Sequence, residues 1–258
     1  RPMFDLADRD SVAQAIEAAR PQAVVNAAAY TAVDDAEREP EAAMAVNGHG
    51  AGFVAETAAR LGAPLVQIST DYVFDGSSGR PYREDDPVAP LGAYGRSKLA
   101  GERAAAAATP DHAILRTAWV YSPFGKNFVR TMLRLAESRD EIGVVADQLG
   151  SPTSALDLAD GVVAVCRNLL SRPGDPALRG VFHMTGSGEA TWAEFAAEIF
   201  AVSARLGGPS ARVRPIATAD YPTPARRPAN SRLDGTKLGR AHGVRLPQIA
   251  ARQEIITA

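Results

Sequence analysis

Leu65-Val66-Gln67-Ile68-Ser69-Thr70 is a run of strand length, and Pro40 to Leu61 before it carries apolar residues at a helical period, stopped by Gly62. A helix, a glycine stop and an apolar strand make up one βα repeat, and the pattern continues in both directions. Upstream, Asp8 to Arg20 places Val12, Ile16 and Ala19 on one helical face, with Asp8 and Asp10 at its start and Pro21 beyond its end. Ala23-Val24-Val25-Asn26-Ala27-Ala28-Ala29 then reads as a buried strand that dissolves into small residues. Downstream come a Gly-, Ser- and Pro-rich loop from Asp75 to Leu91, a helix from near Ala93 through the alanine tract Ala104 to Ala108, and a strand from His112 to Tyr121. Such alternation is the pattern of βαβ units around a parallel sheet.

Beyond Pro123 the rhythm loosens. Asn127 to Arg139 is helical, Ile142 to Val145 a short strand and Asp157 to Leu170 an amphipathic helix. Val181 to Met184 reads as a strand, Thr191 to Leu206 as a helix capped by Thr191 with Glu194 three residues on, and Arg212 to Ile216 as a last strand. The fold class expected is α/β: a doubly wound parallel sheet with a smaller α/β domain over its carboxyl edge. Residues 1–123 form the dinucleotide-binding part and 124–258 mainly the substrate-binding part, with some of 140–170 returning to the first sheet. Ligands of such sheets lie outside the carboxyl ends of the strands.

At 258 residues the chain can bury a proper core, and 46% hydrophobic with 22% charged residues argues against disorder and coiled coil. A net charge of −2 lacks the basic footprint that duplex DNA or an anionic membrane asks for, so neither is an expected partner. Cys166 is the only cysteine, and His49, His112, His183 and His242 show no zinc spacing, so no metal is expected and a reducing cytoplasm is the natural setting. No apolar run reaches the ~18 residues of a membrane span.

Three strand ends carry unusual content: Ala27 to Thr31, Ser69 to Tyr72, and Arg116 to Tyr121. Small residues admit a flat ligand, hydroxyls bond a substrate oxygen and aromatic faces stack on rings. Ala27 to Ala29 suits packing under a helix equally well, and Trp119 suits a core. Tyr94 and Lys98 are four apart on one helix, hence on one face, where an ammonium ion lowers the pKa of a phenol. Tyr-x-x-x-Lys is common on helix surfaces, and its place just after Ser69-Thr70 is what singles it out. Asp85-Asp86 reads as a solvated pair and Cys166 as a small core residue. Arg226-Arg227, between Pro224 and Pro228, suits either a bidentate grip on a diphosphate or an exposed pair of loop charges.

Val25 to Asp34, Ser69-Thr70-Asp71-Tyr72-Val73-Phe74-Asp75-Gly76, Tyr94-Gly95-Arg96-Ser97-Lys98-Leu99-Ala100-Gly101-Glu102, Arg116 to Tyr121 and Tyr221 to Pro228 together resemble the extended short-chain dehydrogenase/reductases, and more closely the dTDP-4-dehydrorhamnose reductases. The resemblance implies a Rossmann-like fold and hydride transfer from NADPH or NADH to C4 of a 4-keto-6-deoxy sugar nucleotide, and it allows a homodimer. It implies Tyr94 as proton donor, Lys98 as the group that lowers the Tyr94 pKa and bonds the nicotinamide ribose, and Thr70 as donor to the carbonyl oxygen. Asp71, Tyr72 and Trp119 would shape the sugar pocket, and Arg226 or Arg227 would face the diphosphate. Asp5 and Leu6 would border the adenine, with Ala28, Ala29, Tyr30 and Thr31 along the cofactor. Tyr72 stands where related dehydratases carry an acidic residue, and Val73-Phe74-Asp75 departs from the epimerase pattern. The family's opening Gly-x-x-Gly-x-x-Gly turn has no match here, so a preceding segment of ~30 residues is expected before Arg1. A catalytically silent binding subunit on the same fold is the rival reading, which the retained Thr70, Tyr94 and Lys98 disfavour.

Overall fold

Leu65 to Thr70 lies inside a parallel sheet, and its alternate residues face two different cores. The computed structural model describes residues 4–248. In chain order these form α1 (Arg9–Ala19), β1 (Val24–Asn26), α2 (Pro40–Met44), α3 (Ala51–Arg60), β2 (Leu65–Thr70), α4 (Ala93–Ala108), β3 (His112–Thr117), β4 (Val120–Tyr121), α5 (Phe128–Ala136), β5 (Glu141–Val145), β6 (Leu149–Gly150), β7 (Thr153–Ser154), α6 (Ala155–Ser171), β8 (Gly180–His183), β9 (Ala190–Thr191), α7 (Trp192–Arg205), β10 (Arg212–Ile216) and α8 (Thr236–His242). The main sheet has the order β1-β2-β3-β8, parallel throughout, with Val24 opposite Leu65, Leu65 opposite His112 and Ala113 opposite Gly180. Leu65 packs with Val12, Val54, Ala58 and Ala105 on one face, while Val66 packs with Val162, Val165, Leu169 and Phe182 on the other. A strand covered by helices on both faces has to be apolar at successive positions, which is the pattern the sequence carries.

The expected single helix from Pro40 to Leu61 is instead interrupted. Ala45–Gly50 is a wider π turn between α2 and α3. Two close approaches account for it: a Cβ on Gly50 would stand 2.6 Å from the Leu6 carbonyl oxygen, and one on Gly101 of α4 would stand 2.1 Å from that of Asn47. The π turn turns the Asn47 side chain inward, and such bulges recur at functional sites.

The strand expected over His112 to Tyr121 also breaks. Trp119 adopts the left-handed region at φ 48°, so β3 ends at Thr117 and β4 leaves the main sheet to pair with β7. Nor is Ala23 to Ala29 a fully buried strand. Only Val24 to Asn26 pair with β2, and Val25 is 43% exposed on the outer strand of the described sheet.

Within 140–170 the part that packs on the main sheet is the helix α6. β5 pairs with β10 in a separate two-stranded sheet, while α6 covers β2 and β3. β8, from the second half of the chain, then supplies the fourth strand. Around β5, the helices α5 and α7 bury Tyr121, Met132, Ile142, Val144, Phe195 and Ile199 in a second core. Thr191 and Glu194 form the expected capping box at the start of α7. Asp86 is not simply solvated: its carboxylate accepts from both terminal nitrogens of Arg80, at 2.7 and 2.8 Å, and from the Arg83 amide.

Candidate active site

Thr70 closes β2 in extended conformation. Its hydroxyl donates to Asp71 Oδ1 at 3.0 Å and accepts from the Tyr72 amide at 3.2 Å, capping the single turn Asp71–Val73. The first turn of α4 packs directly on that turn, because a Cβ at Gly95 would fall 2.2 Å from the Tyr72 carbonyl oxygen. Tyr94 therefore meets the Tyr72 ring edge-on, with centroids 5.6 Å apart. Burial pushes the Tyr94 phenol up to about 12, the Asp71 charge adds to the rise, and the Thr70 hydroxyl pulls the other way. Burial pushes the Tyr72 phenol up as well.

Lys98 follows one turn later, 5% exposed, and Nζ donates to the Ile68 carbonyl at 2.7 Å. Burial lowers its pKa to about 8, and the Glu102 carboxylate resists the fall. The structure thus corrects one expectation: Tyr94 is raised rather than lowered, because burial and the Asp71 charge dominate.

Asp71 is 3% exposed, and its Oδ2 has no hydrogen-bond partner. Burial lifts its carboxyl from 3.8 to about 6, against the hydroxyls of Ser231 and Thr70. A raised acid favours folding fully below 3.8, and that contribution is lost as pH rises through about 6. The strain on the carboxylate at pH 8 is then of order 3 kcal/mol. Asp71→Asn, which removes the titration, is expected to gain most of that in urea denaturation at pH 8 relative to its own effect at pH 4. An equal effect at the two pH values would show that Asp71 is not held against its charge.

Beside these groups, at the carboxyl end of β1, Ala27, Ala28 and Thr31 are exposed and Ala29 and Tyr30 are half-buried. Asn47 of the π turn ties this loop to α4: its side chain accepts from the Tyr30 amide at 2.8 Å and donates to the Tyr30 carbonyl and Ser97 Oγ, each at 3.0 Å. The Tyr30 hydroxyl donates to Glu39. Asp5 is exposed before α1, and Leu6 is buried under it against α3. Asn47 escaped the sequence reading; the one signal for it was an amide beside Gly48 and Gly50 within a helical segment.

Arg227 is not free. Its two terminal nitrogens donate to the two oxygens of Asp34 at 3.0 and 2.8 Å, which holds the Asp34 carboxyl below its usual range, while Arg226 is exposed. Asp34 and Arg227 line a cavity of about 590 Å³ together with Phe128, Met132, Gln148 and Trp192. Trp192, rather than Trp119, is on the wall, and Trp119 stacks on it at 3.5 Å and 7°. Arg227 and Asp34 also act electrostatically on Tyr72. Asp34 and Trp192 were legible only as members of longer stretches, since their partners lie 193 and 73 residues away along the chain.

A buried hydroxyl, a neutral phenol and an ammonium gathered at a strand end can polarise a carbonyl and protonate the oxygen formed when it is reduced. A cavity walled by aromatic rings with a guanidinium at its rim suits a base and a diphosphate. A family model described as the RmlD substrate binding domain matches residues 1–256. The dTDP-4-dehydrorhamnose reductase of Sinorhizobium fredii is 56% identical over 247 residues, 96% of this chain and 83% of the relative. Among solved structures, the dTDP-4-dehydrorhamnose reductase of Clostridium acetobutylicum superposes with a TM-score of 0.88 at 39% identity, covering 98% of this chain and 86% of that one. A Bacillus anthracis dTDP-4-dehydrorhamnose reductase in complex with NADP gives 0.87 at 36% identity, covering 98% and 85%.

Proposed function

The chain belongs to the RmlD substrate binding domain family, and on that premise we propose that it reduces the C4 keto group of dTDP-4-dehydrorhamnose, giving dTDP-L-rhamnose. The convergence of Thr70, Tyr94 and Lys98 at the carboxyl end of β2 carries this reading. A catalytically silent subunit has no need of a proton donor, a carbonyl-bonding hydroxyl and an ammonium in one corner.

The residues present fit a nicotinamide dinucleotide. Ala27 and Ala28, exposed and without side chains beyond Cβ, leave a flat approach at the end of β1, with Ala29, Tyr30 and Thr31 continuing it toward α4. Asp5 and Leu6 would border the adenine, and Lys98 and Tyr94 would face the nicotinamide ribose. When bound, NADPH or NADH supplies the hydride.

The chain's own groups do the rest. Thr70, whose hydroxyl donates to Asp71 in the free protein, would turn it toward the C4 carbonyl oxygen as charge gathers there. Tyr94 gives its proton to that oxygen; even with its pKa near 12 the phenol is a stronger acid than the alcohol it creates, so the transfer runs downhill. At neutral pH Tyr94 is fully protonated and ready. The Lys98 ammonium then steadies the phenolate until it is reprotonated. Asp71 and Tyr72 would shape the sugar site, the Trp119–Trp192 stack its far wall, and Arg227, backed by Asp34, would face the diphosphate with Arg226 outside it. We assign 1–123 mainly to the cofactor and 124–258 mainly to the substrate, with α6 and β8 supporting the main sheet. The lone cysteine supports a cytoplasmic setting.

The test is turnover of a dTDP-4-keto-6-deoxy sugar with NADPH, followed by loss of the reduced nicotinamide absorbance. Saturable oxidation dependent on the sugar nucleotide is expected, and its absence in the folded protein would reject the reading.

A further inference from the structure

Glu102 and Arg116 form an ion pair with side chains only 4% and 5% exposed, one helical turn beyond Lys98. The carboxylate is fixed at both oxygens. Oε1 accepts from Ser69 Oγ at 2.5 Å and from Arg116 Nε at 2.9 Å, and Oε2 accepts from Arg116 Nη2 at 2.7 Å. Ser69 and Arg116 are register partners on β2 and β3, so the carboxylate of α4 is bound across both strands directly beside Thr70.

Stability is a poor reason for this arrangement, since a well-packed apolar replacement of a buried ion pair is often neutral or stabilising. The pair is also not built to satisfy arginine. Nη1 of Arg116 has no hydrogen-bond partner, the guanidinium lying over the Phe74 ring at 5.1 Å, although the other two nitrogens both serve Glu102. What the cluster secures is the place and the charge of one carboxylate.

We propose that Glu102 is a positioning residue for the reduction: clamped by Arg116 and Ser69, it supplies the negative charge that keeps Lys98 an ammonium ion beside Tyr94. This rests on the roles of Tyr94 and Lys98 given above. The charged and titratable groups on the elements around Lys98 include Tyr94, Arg96, Glu102 and Arg103 on α4, Asp71 after β2, His112 and Arg116 on β3, and Asp35 and Glu37 before α2, the Glu37 carboxylate capping the Ala93 amide. On the facing helical segments Glu39, Glu41, His49 and Arg60 are exposed, and Glu56 is paired with Arg9. Of all these, Glu102 is the group that raises Lys98 against burial. Without it, Lys98 would shed its proton nearer neutrality, and the phenolate left on Tyr94 would lose its cation.

The chain has three lysines, Lys98, Lys126 and Lys237. Labelling lysine Cε with carbon-13 therefore gives three resonances that can be followed through pH in the full chain without substrate or cofactor, and Lys98→Arg identifies one of them. Glu102→Gln is expected to move the Lys98 midpoint down by about one pH unit, a tenfold loss of proton affinity, with Lys126 and Lys237 unmoved. Glu102→Asp, which keeps the charge, is expected to hold most of the original midpoint. In turnover, kcat should fall at alkaline pH while KM stays near its original value. Should Glu102→Gln fail to fold because Arg116 is left as a lone buried charge, the doubly neutral Glu102→Gln/Arg116→Gln protein replaces it, with a smaller displacement in the same direction expected because the Arg116 cation is lost with the carboxylate. A Lys98 midpoint unchanged in the folded variant overturns the proposal. Failure of the unmodified protein to reduce the sugar nucleotide would count against the reductase reading instead, since the resonance titration does not depend on turnover.

Discussion

Tyr94→Phe lowers kcat by about 10²- to 10⁴-fold, the usual contribution of a positioned general acid. The substitution removes one oxygen and leaves the ring. Its edge-on contact with Tyr72 and its packing with Ala36, Ala43 and Ala93 are unchanged, so the fold and the affinity for sugar nucleotide are expected to persist. The loss falls on proton transfer because the neighbouring Thr70 hydroxyl, an aliphatic alcohol, is a weaker acid than the phenol it would have to replace. Steady-state kinetics with NADPH, set beside calorimetric titration of the sugar nucleotide, separates the two effects. Equal rates for Tyr94→Phe and the unmodified protein would remove Tyr94 from its assigned role.

The second large effect concerns stability. Phe182 is fully buried near the end of β8, where it packs with Leu115, Leu169 and Leu238, meets the His242 ring edge-on at 4.8 Å and lies 4.7 Å beneath the Lys237 ammonium. Phe182→Ala is expected to cost about 3–5 kcal/mol, the range for deleting a buried aromatic ring and leaving a cavity. Because β8 is the strand that ties the second half of the chain to the first sheet, the loss should appear in urea unfolding of the whole protein rather than of one part. A loss under about 1 kcal/mol would mean that α6 and α8 close over the gap.

The main sheet was readable because its strands are covered on both faces and so announce themselves as apolar runs between helices. Leu65-Val66 and Ala113-Ile114-Leu115 say this locally. Tyr94 and Lys98 were readable for a similar reason, since four residues on a helix fix a shared face. Features set by contacts distant in sequence were not. The π turn at Ala45–Gly50 follows from how closely Leu6 and Gly101 approach it, and the end of β3 follows from the conformation of Trp119. Neither cause lies within the segment concerned. The same limit applies to charge: the spacing of Tyr94 and Lys98 predicts a lowered phenol pKa, whereas burial, which spacing does not reveal, raises it. Arg227 shows a subtler case. Its sequence neighbours, Pro224 and Pro228, announce a rigid loop, but its pairing with Asp34 depends on a residue almost the whole chain away.

The chain has only two tryptophans, and both belong to the stack between Trp119 and Trp192. All indole emission therefore originates from one spot on the wall of the cavity, and two parallel rings so close are excitonically coupled. The protein carries its own optical gauge: a near-ultraviolet circular dichroism couplet that reports whether β4 and the start of α7 are joined, and a fluorescence signal open to quenching by any nucleobase that reaches Trp192.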